Sequence, residues 1–236
     1  MPTTSEHTSK QFDAELEALR ARVLKMGGLV EEQIKLALDA LMAGDLALCD
    51  KVEDEDHVVN GLEVGIDEDV STIIARRQPA ARDLRMLMTV VKTITDLERI
   101  GDEAAKIARM AKLIYSPDRL QQPRTAEVRR MSTVALQMLR KSLDAFARLD
   151  LAASAEVVRQ DRQVDEEFRG ILRQLITFMM EDPRTISMSI EILFVAKAIE
   201  RIGDHAKNIS EYVVYMVKGK DVRHVTLEEI EREVMG

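Results

Sequence analysis

The sequence predicts an all-α protein made of two tandem, internally repeated, antiparallel three-helix bundles with six long helices. Three observations carry this. The composition favours helices: aromatics are 3% of the chain, Trp is absent, and 13 Met join abundant Leu, Ile and Ala. Only 10 Gly and 5 Pro interrupt 236 residues. Apolar residues recur at alternating spacings of three and four, and the second half of the chain repeats the first.

The first helix carries Phe12, Leu16, Leu19, Val23, Met26, Val30, Ile34, Leu38 and Leu41 on one face. Gly44 breaks it, and Asp45 supplies the N-cap of the next. The second run holds Val52, Val59, Leu62, Ile66, Val70 and Ile73, and ends at Gln78-Pro79. Pro79 is expected to open the third helix as its first residue. That helix carries Leu87, Val91, Ile94, Leu97, Ala104 and Ile107 and reaches about Ile114. Residues 115–125, with Ser116-Pro117-Asp118 and Gln122-Pro123, form a linker. Three further helices are predicted, roughly over 125–148, 150–181 and 184–218, with breaks at Asp150 and Asp182-Pro183. A helix of some thirty residues is about 45 Å long.

The repeat is in register. Leu38-Asp39-Ala40 returns as Leu143-Asp144-Ala145, 105 residues on, and Asp45-Leu46-Ala47 as Asp150-Leu151-Ala152. Val52, Asp56 and Val59 return as Val157, Asp161 and Val164. Glu98-Arg99-Ile100-Gly101-Asp102 returns unchanged as residues 200–204, at an offset of 102. Short turns between three helices favour antiparallel packing. The units are residues 9–116 and 124–218, followed by a charged C-terminal tail, 219–236.

The formal net charge is −8, which lacks the footprint of a nucleic-acid binder and points to protein partners. Cys49 is the only cysteine, so no intrachain disulfide can form. The first ten residues hold no apolar signal-peptide core, and no run approaches the roughly 18 apolar residues of a membrane span. A cytoplasmic protein is expected, without membrane insertion but free to dock on a membrane complex through protein partners. There is no phosphate-binding loop and no nucleophile elbow, so no enzymatic activity is expected.

Several motifs together resemble the PhoU family over most of the chain, from about Phe12 to His224. They are Met26-Gly27-Gly28, Ala75-Arg76-Arg77-Gln78-Pro79 with Asp83-Leu84-Arg85, the doubled Glu-Arg-Ile-Gly-Asp, and Lys218-Gly219-Lys220-Asp221-Val222-Arg223-His224. The resemblance implies a negative regulator of phosphate uptake and of the phosphate-starvation response. It implies as partners the ATPase subunit of the phosphate ABC transporter and a sensor histidine kinase, and a homodimer as the assembly. It also implies iron or zinc clusters in some members, held by acidic-x-x-x-Asp motifs.

Four positions match that motif: Glu98 with Asp102, Asp161 with Asp165, Glu200 with Asp204, and Asp56 with Asn60, where Asn replaces the second acid. Side chains at i and i+4 share a helix face, and two carboxylates there repel by about 0.2–0.5 kcal/mol. Asp161 and Asp165 are expected to face Glu200 and Asp204. A cation would relieve four converging carboxylates, and oxygen donors suit hard ions. Asn60 still offers a carbonyl oxygen but no charge. The competing explanation is a solvated face, with Arg99 and Arg201 neutralising their neighbours, since 42 Asp and Glu make chance pairs common.

The remaining candidates read as structure first. His205 is expected on the surface, Cys49 as a small buried residue aligned with Ser154, and the methionines Met86, Met88, Met131, Met138, Met179, Met180 and Met188 chiefly as core. Gly101 and Gly203 cost helix propensity, which suggests close helix approach or room beside the acidic pair. Arg76, Arg77, Arg82 and Arg85 put positive charge at the turn between the second and third helices. A carboxylate-bridged metalloenzyme is the alternative to an adaptor, although paired Glu-x-x-His motifs are missing.

Overall fold

The computed structural model describes residues 4–116, 123–223 and 225–235. Among the described residues seven α-helices follow one another: α1 (Thr4–Ala43), α2 (Leu46–Arg77), α3 (Ala81–Ile114), α4 (Ala126–Arg148), α5 (Leu151–Glu181), α6 (Ile186–Lys218) and α7 (Leu227–Met235), with a 3-10 turn at Pro183–Thr185 before α6. The centre of the expected linker, residues 117–122, and His224 lie outside the described residues.

The predicted breaks are made by local chemistry. Asp45 and Asp150 stand at equivalent places and each caps the following helix, accepting from Leu48 N and Ala153 N at 3.0 Å. Just before them, Gly44 (φ 70°) and Leu149 (φ 57°) share the left-handed position that ends the preceding helix. Only Gly44 has no alternative: a Cβ there would lie 2.9 Å from the Tyr115 ring. Pro79 does not open α3 as expected. Ala80 takes the N-cap place and α3 starts at Ala81. Left-handed Gln78 closes α2 first, so the proline falls in the connection.

Each half is a three-helix bundle: α1, α2 and α3 pack on one another, as do α4, α5 and α6. Val23, Met26, Val30, Leu87 and Leu97 are fully buried in one bundle; Met131, Met138, Phe146 and Val164 are in the other. Each such side chain contributes about 1.5–3 kcal/mol of burial. The most extensive packing is between α3 and α6, which join the halves. They run antiparallel: Asp96 meets His205, while Glu103, further along α3, meets the earlier Arg201 of α6. α1 also crosses α4, where a Cβ on Gly27 would lie 2.6 Å from Leu143 Cδ2. The close approach explains the small residue there.

The tail is more than a charged extension. α7 packs on α5, and Val222 and Ile230 are buried with Val158 and Val214. Thr226 and Glu229 form a reciprocal capping box: Thr226 N donates to Glu229 Oε2 at 2.9 Å, and Glu229 N to Thr226 Oγ1 at 3.3 Å. Thr-x-x-Glu is the signal by which the sequence could have revealed this helix.

Candidate functional site

The second half gathers its acidic pairs between α5 and α6. Glu200, Asp204, Lys207 and Glu211 follow the three-four spacing of one face of α6, and Asp161 and Asp165 come from α5. Asp161 is buried and accepts from Lys207 Nζ at 2.8 Å. Glu200 holds Lys197 Nζ at 2.7 and 2.6 Å. Arg169 approaches Asp165 at 3.8 Å. Asp204 accepts no hydrogen bond among the described residues. Burial, then the charges of Glu200 and Asp161, push its carboxyl up to about 6, with Asp165 a smaller contributor. The four acids expected to face one another therefore share one field. Glu211, one turn beyond Lys207, is buried and pushed up to about 7, chiefly by burial.

The first half is built differently. Asp56 accepts from the Gln33 amide at 2.8 Å, a neutral donor from α1. Gly101 makes room for this: a Cβ there would lie 3.1 Å from Gln33 Oε1 and 3.5 Å from Asp56 Oδ1. Glu98 is half-buried and raised by burial, then by Asp102, Glu63 and Asp56. Asp102 is exposed and raised by burial of its carboxyl and by Asp56. Asn60 is exposed, and among the described residues it joins no hydrogen bond. Glu63, which forms a further i, i+4 acidic pair with Asp67 outside the four family-matched positions, shares the field of Glu98 and accepts from Thr95 at 3.1 Å.

Oxygen donors and an unrelieved carboxyl at Asp204 have the chemistry of a hard-cation site. In the arrangement described, lysines do that neutralising: Lys197 holds Glu200 and Lys207 holds Asp161. Among the described residues, no three Asp, Glu, His or Cys side chains converge closely enough to hold a metal ion.

His205 is not on the surface. It is 8% exposed at the α3–α6 contact, with Nδ1 2.6 Å from Asp96 Oδ1. Asp96, 3% exposed, also accepts from Asn208 at 3.2 Å. Nearby, buried Glu103 binds Arg201 at 2.8 Å and Lys106 at 3.3 Å. Arg201 therefore serves the opposite half instead of its neighbouring acids. Asp96 carried no motif; its partners lie more than a hundred residues away.

Other expectations sort by burial. Cys49 is buried, and burial pushes its thiol up to about 11, while Ser154 at the matching place donates to Asp150 O at 2.9 Å. Met131, Met138 and Met188 fill the core, but Met88 and Met180 are exposed. Arg77 is tied to Glu15 at 2.6 Å, whereas Arg76 and Arg82 are exposed. Among the described residues, no helix is long and apolar enough to cross a membrane.

Comparison with known proteins matches the PhoU domain twice, over residues 23–111 and 128–213. A phosphate-specific transport system accessory protein PhoU homolog of Pseudomonas putida is 47% identical over 233 residues, 98% of this chain and 90% of that protein. The accessory protein PhoU of Escherichia coli (strain K12) is 46% identical over 232 residues, 98% of this chain and 95% of that protein. The crystal structure of PhoU from Pseudomonas aeruginosa superposes with a TM-score of 0.85 at 46% identity, covering 89% of this chain and all of that one. The phosphate transport system regulatory protein PhoU of Streptococcus pneumoniae gives a TM-score of 0.82 at 28% identity, covering 89% of this chain and 99% of that one. With two repeats matched and near full-length likeness, this chain belongs to the PhoU family.

Proposed function

We propose that this chain is a non-enzymatic regulator of phosphate transport that restrains the phosphate-starvation response when phosphate is plentiful. The observation that carries the reading is the 46–47% identity, over 98% of the chain, to proteins named as accessories of the phosphate-specific transport system. The proposed partners are the ATPase subunit of the phosphate ABC transporter and a sensor histidine kinase, with the chain working as a homodimer in the cytoplasm. Two rigid bundles locked along α3 and α6 suit such an adaptor, because a change in one partner's state then alters affinity for the other.

The acidic clusters are the proposed cation sites, for iron or zinc: Glu200, Asp204, Asp161 and Asp165 in the second half, and Glu98, Asp102, Asp56 and Asn60 in the first. What supports this is the repulsion left on Asp204 and Glu98. Loading requires the flexible Lys197 and Lys207 side chains to leave their carboxylates. Metal content of the purified chain, compared with that of Glu200→Ala/Asp204→Ala, tests it; equal content in both removes the second cluster as a site.

The regulatory reading is tested by deleting the gene and measuring a phosphate-starvation reporter, such as alkaline phosphatase, in cells with ample phosphate. High output, returned to low by the intact gene, is expected. Unchanged repression in a strain lacking any second copy overturns the reading. Binding of the purified chain to both partners tests the relay itself.

A further inference from the structure

The α3–α6 seam ends differently on its two sides. On α3, Arg85, Thr89, Lys92 and Asp96 follow one another at spacings of four, three and four, so they share a face. That face meets the last turns of α6. The Arg85 guanidinium carbon lies 3.5 Å from the place a Cβ on Gly219 would occupy. Lys92 Nζ stands over the Tyr212 and Tyr215 rings, 5.5 and 5.3 Å from their centroids. At the other end of the seam the repeat puts Ser187 in place of Arg85 and Phe194 in place of Lys92, with Met110 and Leu113 in place of the tyrosines. Helix packing therefore works there without cations. The cationic end is an addition to the interface.

Buried donors at this end lack partners. Arg85 Nε is buried without a partner, and among the described residues Arg85 joins no hydrogen bond or ion pair. Thr89 is fully buried and its Oγ1 is also unpaired. Lys92 has no carboxylate within 4 Å among the described residues. Two carboxylates nearby are already engaged. Asp96 serves His205 and Asn208, and Asp221, whose field Lys92 feels, is clasped by Arg223 at 2.9 and 2.5 Å. Buried donors without acceptors are costly unless a guest supplies them. Arg85 and Lys92 are half-buried, and Lys218, Gly219 and Lys220 beside them are exposed, so the seam is open to solvent here.

We propose that this end of the seam binds a tetrahedral oxyanion of the phosphate class, held by the Arg85 guanidinium and the Lys92 ammonium. Guanidinium offers paired donors in a plane that fits two oxygens of such an ion, and the ammonium adds a point charge. Residues seven apart stand about 10.5 Å apart along a helix. Holding one ion requires the two long side chains to reach toward each other across that span. Because Arg85 lies on the first bundle and Gly219 on the second, the anion would be bound across the junction of the halves. The site stands apart from the acidic clusters and does not depend on the regulatory reading.

The test is calorimetric titration of the full chain with inorganic phosphate at constant ionic strength, with sulfate as a second ion of the same shape. Saturable binding of one phosphate per chain is expected, weakened at least tenfold in Arg85→Met and in Lys92→Met. Arg85→Lys, which keeps charge but not the fork, is expected to recover part of the affinity. Circular dichroism and melting of each variant verify the fold, and Lys112→Met, which removes a lysine elsewhere, is expected to bind like the parent. Absence of binding up to 20-fold above about 1 mM phosphate overturns the proposal, as does binding that all three α3 variants leave unchanged, which means an adventitious ion only. A third outcome also overturns it: Arg85→Met shifts the monomer–dimer balance in sedimentation but phosphate does not bind. The acceptor would then be a carboxylate of a second copy.

Discussion

The two acidic clusters descend from one repeat yet neutralise their charge by different means. In the first half, Asp56 is satisfied by the Gln33 amide; in the second, Asp161 is satisfied by the Lys207 ammonium. The repeat exchanges the two devices cleanly. Met138 stands where Gln33 would be, and Ala105 stands where Lys207 would be. An amide suffices in the first half because Asp102 is exposed and Asn60 brings no charge. The second half keeps all four acids, buries Asp161 and needs a cation of its own. Duplication preserved the carboxylates, while their partners were reassigned to whichever helix could reach them.

The largest effect expected from breaking this contrast is at Lys207. Lys207→Met leaves Asp161 buried beside Asp204 and Glu211. Breaking a buried pair costs about 3–5 kcal/mol; with Lys207 a third exposed, about 2–3 kcal/mol is expected in urea unfolding. Gln33→Met, which copies the second half's residue into the first, removes one neutral hydrogen bond and is expected to cost about 1 kcal/mol. Equal losses would erase the distinction between the halves.

Protonation gives the next effect. Asp204 has its carboxyl raised in the fold from 3.8 to about 6, so the folded chain holds this proton more tightly than the unfolded one. The stabilisation is present below pH 4 and is lost as pH rises through about 6. Asp204→Asn is therefore expected to melt roughly 2–6 °C above the parent at pH 7.5 in chelator, with the gap closing toward pH 4. Asp102→Asn should show the same sign with a smaller gap, since Asp102 is exposed. Melting curves from pH 4 to 8 decide both.

The repeated glycines sharpen the comparison further. A Cβ at Gly203 meets Val164 Cγ1 at an ordinary 3.4 Å, so Gly203→Ala is expected to stabilise the chain by up to about 1 kcal/mol. At Gly101 the Cβ presses on Gln33 Oε1 at 3.1 Å, and the gain is offset by disturbing the Asp56 bond. Denaturant midpoints of the two variants should separate. The smallest effect is at Asn60. Asn60→Asp restores the second acid on an exposed position and should change stability by no more than about 0.5 kcal/mol. If the first cluster takes a cation, that same variant raises its metal content, measured by elemental analysis.

The sequence by itself determined the six long helices, the aspartate breaks between them and the doubling. Those features are local: Asp45 and Asp150 cap within three residues, apolar periodicity marks each buried face, and Glu-Arg-Ile-Gly-Asp repeats as a string. It also located the second-half carboxylates, because i, i+4 spacing on two adjacent helices brings them to one field. What lay beyond it were partners drawn from afar. His205 looked like a surface histidine because its acceptor, Asp96, is 109 residues away on the other bundle. Arg201 looked like a partner for its neighbours, yet it reaches Glu103. α7 was passed over because its apolar face is short and becomes meaningful only against Val158 and Val214. Local pattern fixes which face of a helix is buried; only the packing of α3 against α6 decides which polar groups that burial obliges to meet.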